Sequence, residues 1–253
     1  MISKTIWQTY ETPIEGLPLQ AQQSLETWKN INPDWSHGYM SGQDREDFFR
    51  TEFGGEVFDT YMKYPLGVMK AGLWRFAILY INGGVYADLD TECINPIDTW
   101  LDPKYDMILD LEGNTPWYAT QVIASSKGHK FLEDAISMAV ERARNGIVEQ
   151  QHMVHYYTDV AMFTDSLFKS MSIEDGYNGD LKQRTIEFNN LPVAKENKFF
   201  SFGGDDARRL LDKDVKHLYW GDGRLENYVA WKKDSIFENL TVKDVQESQG
   251  NNK

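Results

Sequence analysis

Lys70-Ala71-Gly72-Leu73-Trp74-Arg75-Phe76, followed by Gly83-Gly84-Val85-Tyr86-Ala87-Asp88-Leu89-Asp90, reads as a helix, a glycine stop and a strand in succession. Met69, Leu73, Phe76, Ala77 and Tyr80 recur at three- and four-residue spacing, so residues 66–81 are expected to form a helix with that stripe on a core. Gly83-Gly84 ends the helix as glycine does at a C-cap, and lets backbone approach a ligand closely. The β-favouring Val85-Tyr86 then leads to Asp88 and Asp90. Side chains at i and i+2 of an extended segment point to one side, roughly 7 Å apart at a rise of about 3.3 Å per residue. Where the strand ends, the backbone can turn and bring both carboxylates to one ion.

Hard oxygen ligands of this kind suit magnesium or manganese, which bind through one or two protein carboxylates while substrate phosphates and water complete the shell. The alternative for Asp88 and Asp90 is a solvated strand end, and the spacing alone does not decide, because Asp212-Lys213-Asp214 repeats it. Arg75 lies off the apolar stripe. It is either a surface arginine or a guanidinium directed at phosphate or sugar oxygens, which its planar fork binds in bidentate fashion.

Outward from this stretch, strand and helix patterns alternate, which implies an α/β fold with a mostly parallel sheet flanked by helices. Strands are expected near residues 4–9, 35–40, 84–88, 105–110 and 118–125. Helices are expected near 18–30, 43–51, 55–62, 66–81, 129–145 and 158–170. No repeat or long linker divides the chain, so residues 1–240 are read as one domain and 241–253 as a polar tail that frays. Ligand sites in open α/β sheets lie at the carboxyl ends of strands. Asp88 and Asp90 fall at one such end, and Gln8, Thr9 and Tyr10 at another.

The chain has 253 residues, 41% of them hydrophobic and 13% aromatic, enough for one sizeable core. A formal net charge of -13 argues against a nucleic-acid partner, which needs a basic face. A cation bridge lets such an acidic protein hold an anionic ligand. The single Cys93 excludes an internal disulfide and reads as a small buried apolar residue, compatible with a reducing cytosol. No apolar run approaches the roughly 20 residues needed to cross a bilayer. With a strand-like Thr5-Ile6-Trp7 near the start, a cytoplasmic protein of bacterial or viral type is expected.

The segment from Lys70 to Asp90 resembles the DXD-containing sugar-binding region of glycosyltransferase family 32, which includes the initiation-specific mannosyltransferases. The family pattern reads roughly Lys-Ala-Asp-Leu-x-Arg-Tyr, then x-x-Leu-Tyr, then Gly-Gly-Ile-Tyr-x-Asp-x-Asp, and the likeness continues through Thr91-Glu92-Cys93-Ile94-Asn95-Pro96-Ile97-Asp98. Ile2-Ser3-Lys4-Thr5-Ile6-Trp7-Gln8-Thr9-Tyr10 is similar to the family's opening strand, and Asn32-Pro33-Asp34-Trp35 to the entry of its second. Ser125-Ser126-Lys127-Gly128-His129-Lys130-Phe131 resembles a Ser-Lys-x-Gly-His-Pro-Phe stretch, and Thr158-Asp159-Val160 a Thr-Gly-Pro loop. Gly72 departs from the family, which has an aspartate there expected to help recognise the donor. Trp7 and Tyr10 also depart, replacing a histidine and a tryptophan, so the pocket for the nucleotide base is shaped differently.

The resemblance implies a GT-A nucleotide-sugar-binding fold with acceptor-side elements toward the C-terminus. It implies hexosyl transfer, with retention at the anomeric carbon, from a UDP- or GDP-linked sugar to a hydroxyl of a glycan or other acceptor. Manganese or magnesium would be held by Asp88 and Asp90, with His217 as a third ligand from the segment Lys216-His217-Leu218-Tyr219-Trp220-Gly221-Asp222; Asp222 is its rival, and an ordinary packed histidine the alternative. Asp88, Asp90 and Arg75 would serve catalysis, with Lys70 adding positive potential. Gln8, Thr9, Tyr10, Lys70, Trp74, Arg75, Gly83, Gly84 and Tyr86 would line the donor site. Trp117, Gln121 and Asp159 are candidates for the acceptor side, though Trp117 also fits an ordinary core position.

Three other functions use similar residues. A metal-dependent nucleotide-sugar hydrolase would act without an acceptor. A glycosidase would set two carboxylates about 5 to 9.5 Å apart across the bond and would tolerate chelator. A non-enzymatic sugar-binding module would keep its affinity in Asp90→Asn.

Overall fold

The computed structural model describes residues 1–111, 117–148, 152–173, 181–202 and 214–217. The tail from residue 241 and Asp222 lie outside the described residues. The N-terminal part alternates as expected: β1 (Thr5–Thr9), α1 (Leu19–Ile31), β2 (Ser36–Met40), α2 (Gly42–Glu52), α3 (Gly55–Lys63), α4 (Gly67–Asn82) and β3 (Gly84–Ala87). There follow β4 (Thr91–Cys93), β5 (Met107–Leu109), β6 (Val122–Ser125), α5 (Lys130–Ala143), α6 (Met153–Thr158), α7 (Val160–Ser170), α8 (Leu181–Asn190), α9 (Pro192–Glu196), β7 (Phe199–Ser201) and β8 (Val215–His217).

The main sheet runs β2-β1-β3-β6-β5-β7. The β1–β2, β1–β3 and β5–β7 pairs are parallel, and β6 runs antiparallel to both of its neighbours, so one strand is reversed in an otherwise parallel sheet. Alternation along the strands fills two layers. Tyr86, Met107, Leu109 and Ile123 face a large core with α4, α5 and α7, while Val85, Ala87, Ile108, Val122 and Ala124 face a second core with Ile6, Trp28, Ile97 and Trp100. Cys93 lies buried in that second core. Among the described residues no helix is long and apolar enough to cross a membrane.

Three expectations are corrected. Helix α4 is not amphipathic: Trp74, Arg75, Ile78 and Leu79 are buried together with Met69, Leu73, Phe76 and Ala77, because the helix is enclosed between the sheet and helices α5 and α6. The strand expected at 118–125 begins only at Val122, and Tyr118 makes an isolated bridge to Leu111. The helix expected over 158–170 is broken at Asp159, whose extended backbone (φ -132°, ψ -153°) separates α6 from α7. Short elements without a readable period were missed: β4, β7, β8, α6, α8 and α9.

The glycine stop works as a backbone device. Gly83 caps α4 at φ 65° and donates its N–H to the Leu79 carbonyl at 2.7 Å. Gly84 follows at φ 114°, and a Cβ there would stand 2.4 Å from the Thr5 carbonyl oxygen of β1. Gly84→Ala is therefore expected to destabilise the fold by roughly 2–4 kcal/mol, from backbone strain and a forced shift of β1, read as a lower midpoint in urea unfolding.

Candidate active site

β3 stops at Ala87, and the chain turns through Asp88, Leu89 and Asp90 before β4 begins at Thr91. Alternation persists through the turn. Leu89 is buried among Leu17, Ala21 and Leu25 beside α1, while Asp88 and Asp90 stay partly exposed. The turn is braced from several directions. The Asp88 N–H donates to the Gln121 carbonyl at 2.8 Å, and Thr91 returns both its N–H (3.1 Å) and its hydroxyl (2.5 Å) to the Asp88 carbonyl. Ser24 and Trp28 of α1 donate to the Thr91 carbonyl at 2.5 and 2.9 Å. On the other side β4 pairs antiparallel with β8, which sets Thr91 opposite His217.

Arg75 comes to this turn from α4. Its guanidinium lies over the Tyr86 ring, 5.1 Å from the centroid, and is almost wholly buried. Nη1 donates to the Thr120 carbonyl at 3.0 Å and to Asp159 Oδ1 at 3.2 Å, while Nη2 stands 3.5 Å from Asp88 Oδ1. Asp159 also accepts from the Thr120 hydroxyl through Oδ1 and pairs through Oδ2 with His155 Nδ1 at 2.9 Å. The Tyr86 hydroxyl donates to Asp88 Oδ1. Arginine, two aspartates, tyrosine, threonine and histidine thus form one network at the carboxyl end of β3.

The electrostatics divide the carboxylates into two kinds. Burial opposes the charge on Arg75, but the carboxylates of Asp88, Asp159 and Asp90 outweigh it and hold the guanidinium protonated. Asp159 is also penalised by burial, yet the His155 hydrogen bond, Arg75 and Thr120 more than compensate and hold it well below the usual carboxylate range. Asp88 goes the other way. Burial, which Arg75 offsets only in part, and the neighbouring Asp90 push it up to about 6. Burial likewise keeps the Tyr86 hydroxyl protonated, as its bond to Asp88 requires.

One guanidinium thus faces three carboxylates, Asp88, Asp90 and Asp159, and negative charge is in excess. The donor set fits a divalent cation of the magnesium or manganese type. Among the described residues no group of three or more His, Cys, Asp and Glu side chains forms a protein-only cage. Two carboxylates on one turn, with phosphate oxygens as further ligands, are what such ions accept.

The other expected site residues are distributed unevenly. Tyr86 is buried and supports Asp88 and Arg75 from below. Trp74 is corrected to a core residue: it is fully buried, packs edge-on against Tyr86 and offers no face to a donor. Gly83 and Gly84 lie at the opposite end of β3 from the aspartates, and the close approaches they permit are to Lys127 and Thr5 backbone rather than to a ligand. Lys70 is held with Nζ 5.3 Å from the Tyr61 ring centroid, toward α3. Gln8 is buried, bonded to His37 at 2.8 Å, and its Nε2 has no partner. Thr9 donates to the Met40 carbonyl at 2.6 Å and accepts from Arg45 at 2.6 Å; the Tyr10 carbonyl accepts from Arg45 at 3.1 Å.

On the proposed acceptor side, Trp117 lies 5.8 Å from the His155 ring, and Gln121 meets Asp88 through its carbonyl. Asp159 has both its oxygens engaged by protein donors and pairs with Arg75. His217 is placed by backbone register alone, beside the residue that follows Asp90. Thr120, His155 and the buried Arg45, which also pairs with Glu11, were not expected. Only the His155/Asp159 pair carried a signal, the i, i+4 spacing that lets two side chains meet along a helix.

This geometry is that of a GT-A fold, with a carboxylate turn past the end of a central strand. Residues 18–106 match the glycosyltransferase sugar-binding region containing DXD motif. The chain is 26% identical over 206 residues to the initiation-specific alpha-1,6-mannosyltransferase of Candida albicans, covering 67% of this chain and 53% of that one. It is 27% identical over 132 residues to inositol phosphoceramide mannosyltransferase 3 of Schizosaccharomyces pombe, covering 52% and 35%. The chain spans about half the length of the curated relatives it matches or less. Among solved structures, the PaToxG glycosyltransferase superposes with a TM-score of 0.56 at 16% identity, over 82% of this chain and 80% of that one, which speaks for the fold.

The raised Asp88 carboxyl has a testable sign. A carboxyl whose folded value lies above its unfolded value of about 3.9 stabilises the fold while protonated, and this contribution is lost as pH rises through about 6. Without metal, Asp88→Asn is expected to gain stability over the parent protein between pH 5 and pH 8, by on the order of 2 kcal/mol at the upper end. Asp159, shifted downward, does not titrate in this window. Urea unfolding at the two pH values in chelator measures the difference.

Proposed function

We propose that this chain is a metal-dependent glycosyltransferase that moves a hexose from a nucleoside diphosphate sugar to a hydroxyl of a glycan or other acceptor. The relatives' names favour mannose. The observation that carries the reading is the turn after β3, where Leu89 is anchored behind and Asp88 and Asp90 lie in front, in a cluster with excess negative charge.

Asp88 and Asp90 would hold manganese or magnesium, with His217 as the candidate third ligand from the adjoining strand. A cation bound there supplies Lewis acidity that neutralises charge on the departing diphosphate. Arg75, fixed by burial and protonated, contributes positive potential at the same place without having to reorganise. Tyr86 keeps Asp88 oriented. The resemblance to retaining enzymes supports attack from the side of the departing group, and no covalent nucleophile is assigned. Trp117, partly exposed beside His155, and Gln121, whose carbonyl braces Asp88, would contact the acceptor.

Thermal shift with GDP-mannose and with UDP-glucose, each with and without manganese, tests the reading. One nucleoside class is expected to stabilise the protein only when the metal is present, by about 2.7 kcal/mol at a hundredfold excess over Kd. Asp90→Asn is expected to abolish the effect. Equal stabilisation in chelator would overturn metal dependence, and release of free sugar at the same rate with and without acceptor would favour a hydrolase.

A further inference from the structure

Gly72 has no room for a side chain. A Cβ there would stand 2.5 Å from the Thr158 carbonyl oxygen, 2.8 Å from its Oγ1 and 2.9 Å from its Cβ. The last residue of α6 is therefore pressed onto α4, and the chain turns extended at the next residue, Asp159. Residues three apart share a helix face, so Arg75 presents its guanidinium next to the spot where Thr158 is seated. The carboxylate delivered there takes the shorter of the two aspartate contacts of Arg75, 3.2 Å with hydrogen-bond geometry, against 3.5 Å to Asp88. Thr120 fixes both partners: its carbonyl accepts from Arg75, and its hydroxyl donates to Asp159.

A buried guanidinium seeks a carboxylate, because its charge is costly when unanswered. Two are within reach, and only one of them is wanted as a cation ligand. We propose that Asp159 is a positioning residue that holds Arg75 away from Asp88, leaving Asp88 able to take a cation, and that the bare backbone of Gly72 is what admits Asp159 to this role. The inference rests on reading Asp88 and Asp90 as the cation-bearing pair.

Asp159→Asn tests it, since the amide keeps the shape of the carboxylate and removes the charge, its oxygen still able to accept from Arg75 and Thr120 while its NH2 turns to His155. In metal-free crystals of this variant Arg75 Nη2 is expected to close on Asp88 to about 2.9 Å, the length of a charge-assisted hydrogen bond. Manganese dissociation, followed by electron paramagnetic resonance, is expected to weaken about tenfold. Gly72→Ala, which lifts Thr158 from α4, is expected to act in the same direction and decides the matter should Asp159→Asn not fold. An Arg75 that keeps its 3.5 Å separation from Asp88 in the metal-free variant overturns the proposal, as does manganese affinity unchanged within twofold. If the parent protein itself binds no manganese, the cation reading fails, while the metal-free Arg75 geometry still decides the positioning role.

Discussion

The buried guanidinium of Arg75 is the constraint around which this site is arranged. Taking a fixed charge out of water is tolerable only where carboxylates and carbonyls answer it, and here the answers come from three separate parts of the chain. Asp88 belongs to the turn after β3, Thr120 to the segment before β6, and Asp159 to the break between two helices. The ring of Tyr86 closes the arrangement from below. Satisfying one arginine thus draws together three distant segments around the turn after β3, and a fold that failed to gather them would leave a charge stranded in its core.

The sheet provides the rigid platform for this. Strand alternation commits Val85 and Ala87 to one core and Tyr86 to the other, so the chain reaches Asp88 with its direction already set. Leu89, buried beside α1, then keeps the turn from rotating its two acidic side chains inward. The excess of negative charge is held in place by apolar packing, which is why the protein tolerates it. An acidic chain can in this way accommodate an anionic substrate, provided a cation mediates between them.

Much of this was legible in the sequence where the signal was local. A helical period, two glycines and aspartates two residues apart gave α4, the stop, β3 and the side on which Asp88 and Asp90 lie. The place of Arg75 on α4, off the apolar stripe, was readable, but its enclosure was not, because α5 and α6 cover α4 from later in the chain. Its partner Asp159 lies 84 residues away, and no spacing rule spans such a distance. Asp159 also interrupts a stretch with a continuous helical pattern, and tertiary contacts decided in favour of the break. Periodicity alone does not distinguish a helix enclosed on all sides from one with a ligand-facing flank, so the burial of Trp74 is not readable from it. The three-residue strands β4, β7 and β8 are too short to show a period and owe their existence to their neighbours.

The pairing of β4 with β8 makes the earliest-read part of the site depend on nearly the last described part of the chain. During synthesis both aspartates leave the ribosome long before the strand that buttresses them, and a fragment ending before residue 214 carries every acidic letter of the turn with one flank bare. Presence of the motif in a polypeptide is therefore no measure of its competence. The turn is flanked on both sides only where residues 215–217 have paired with residues 91–93.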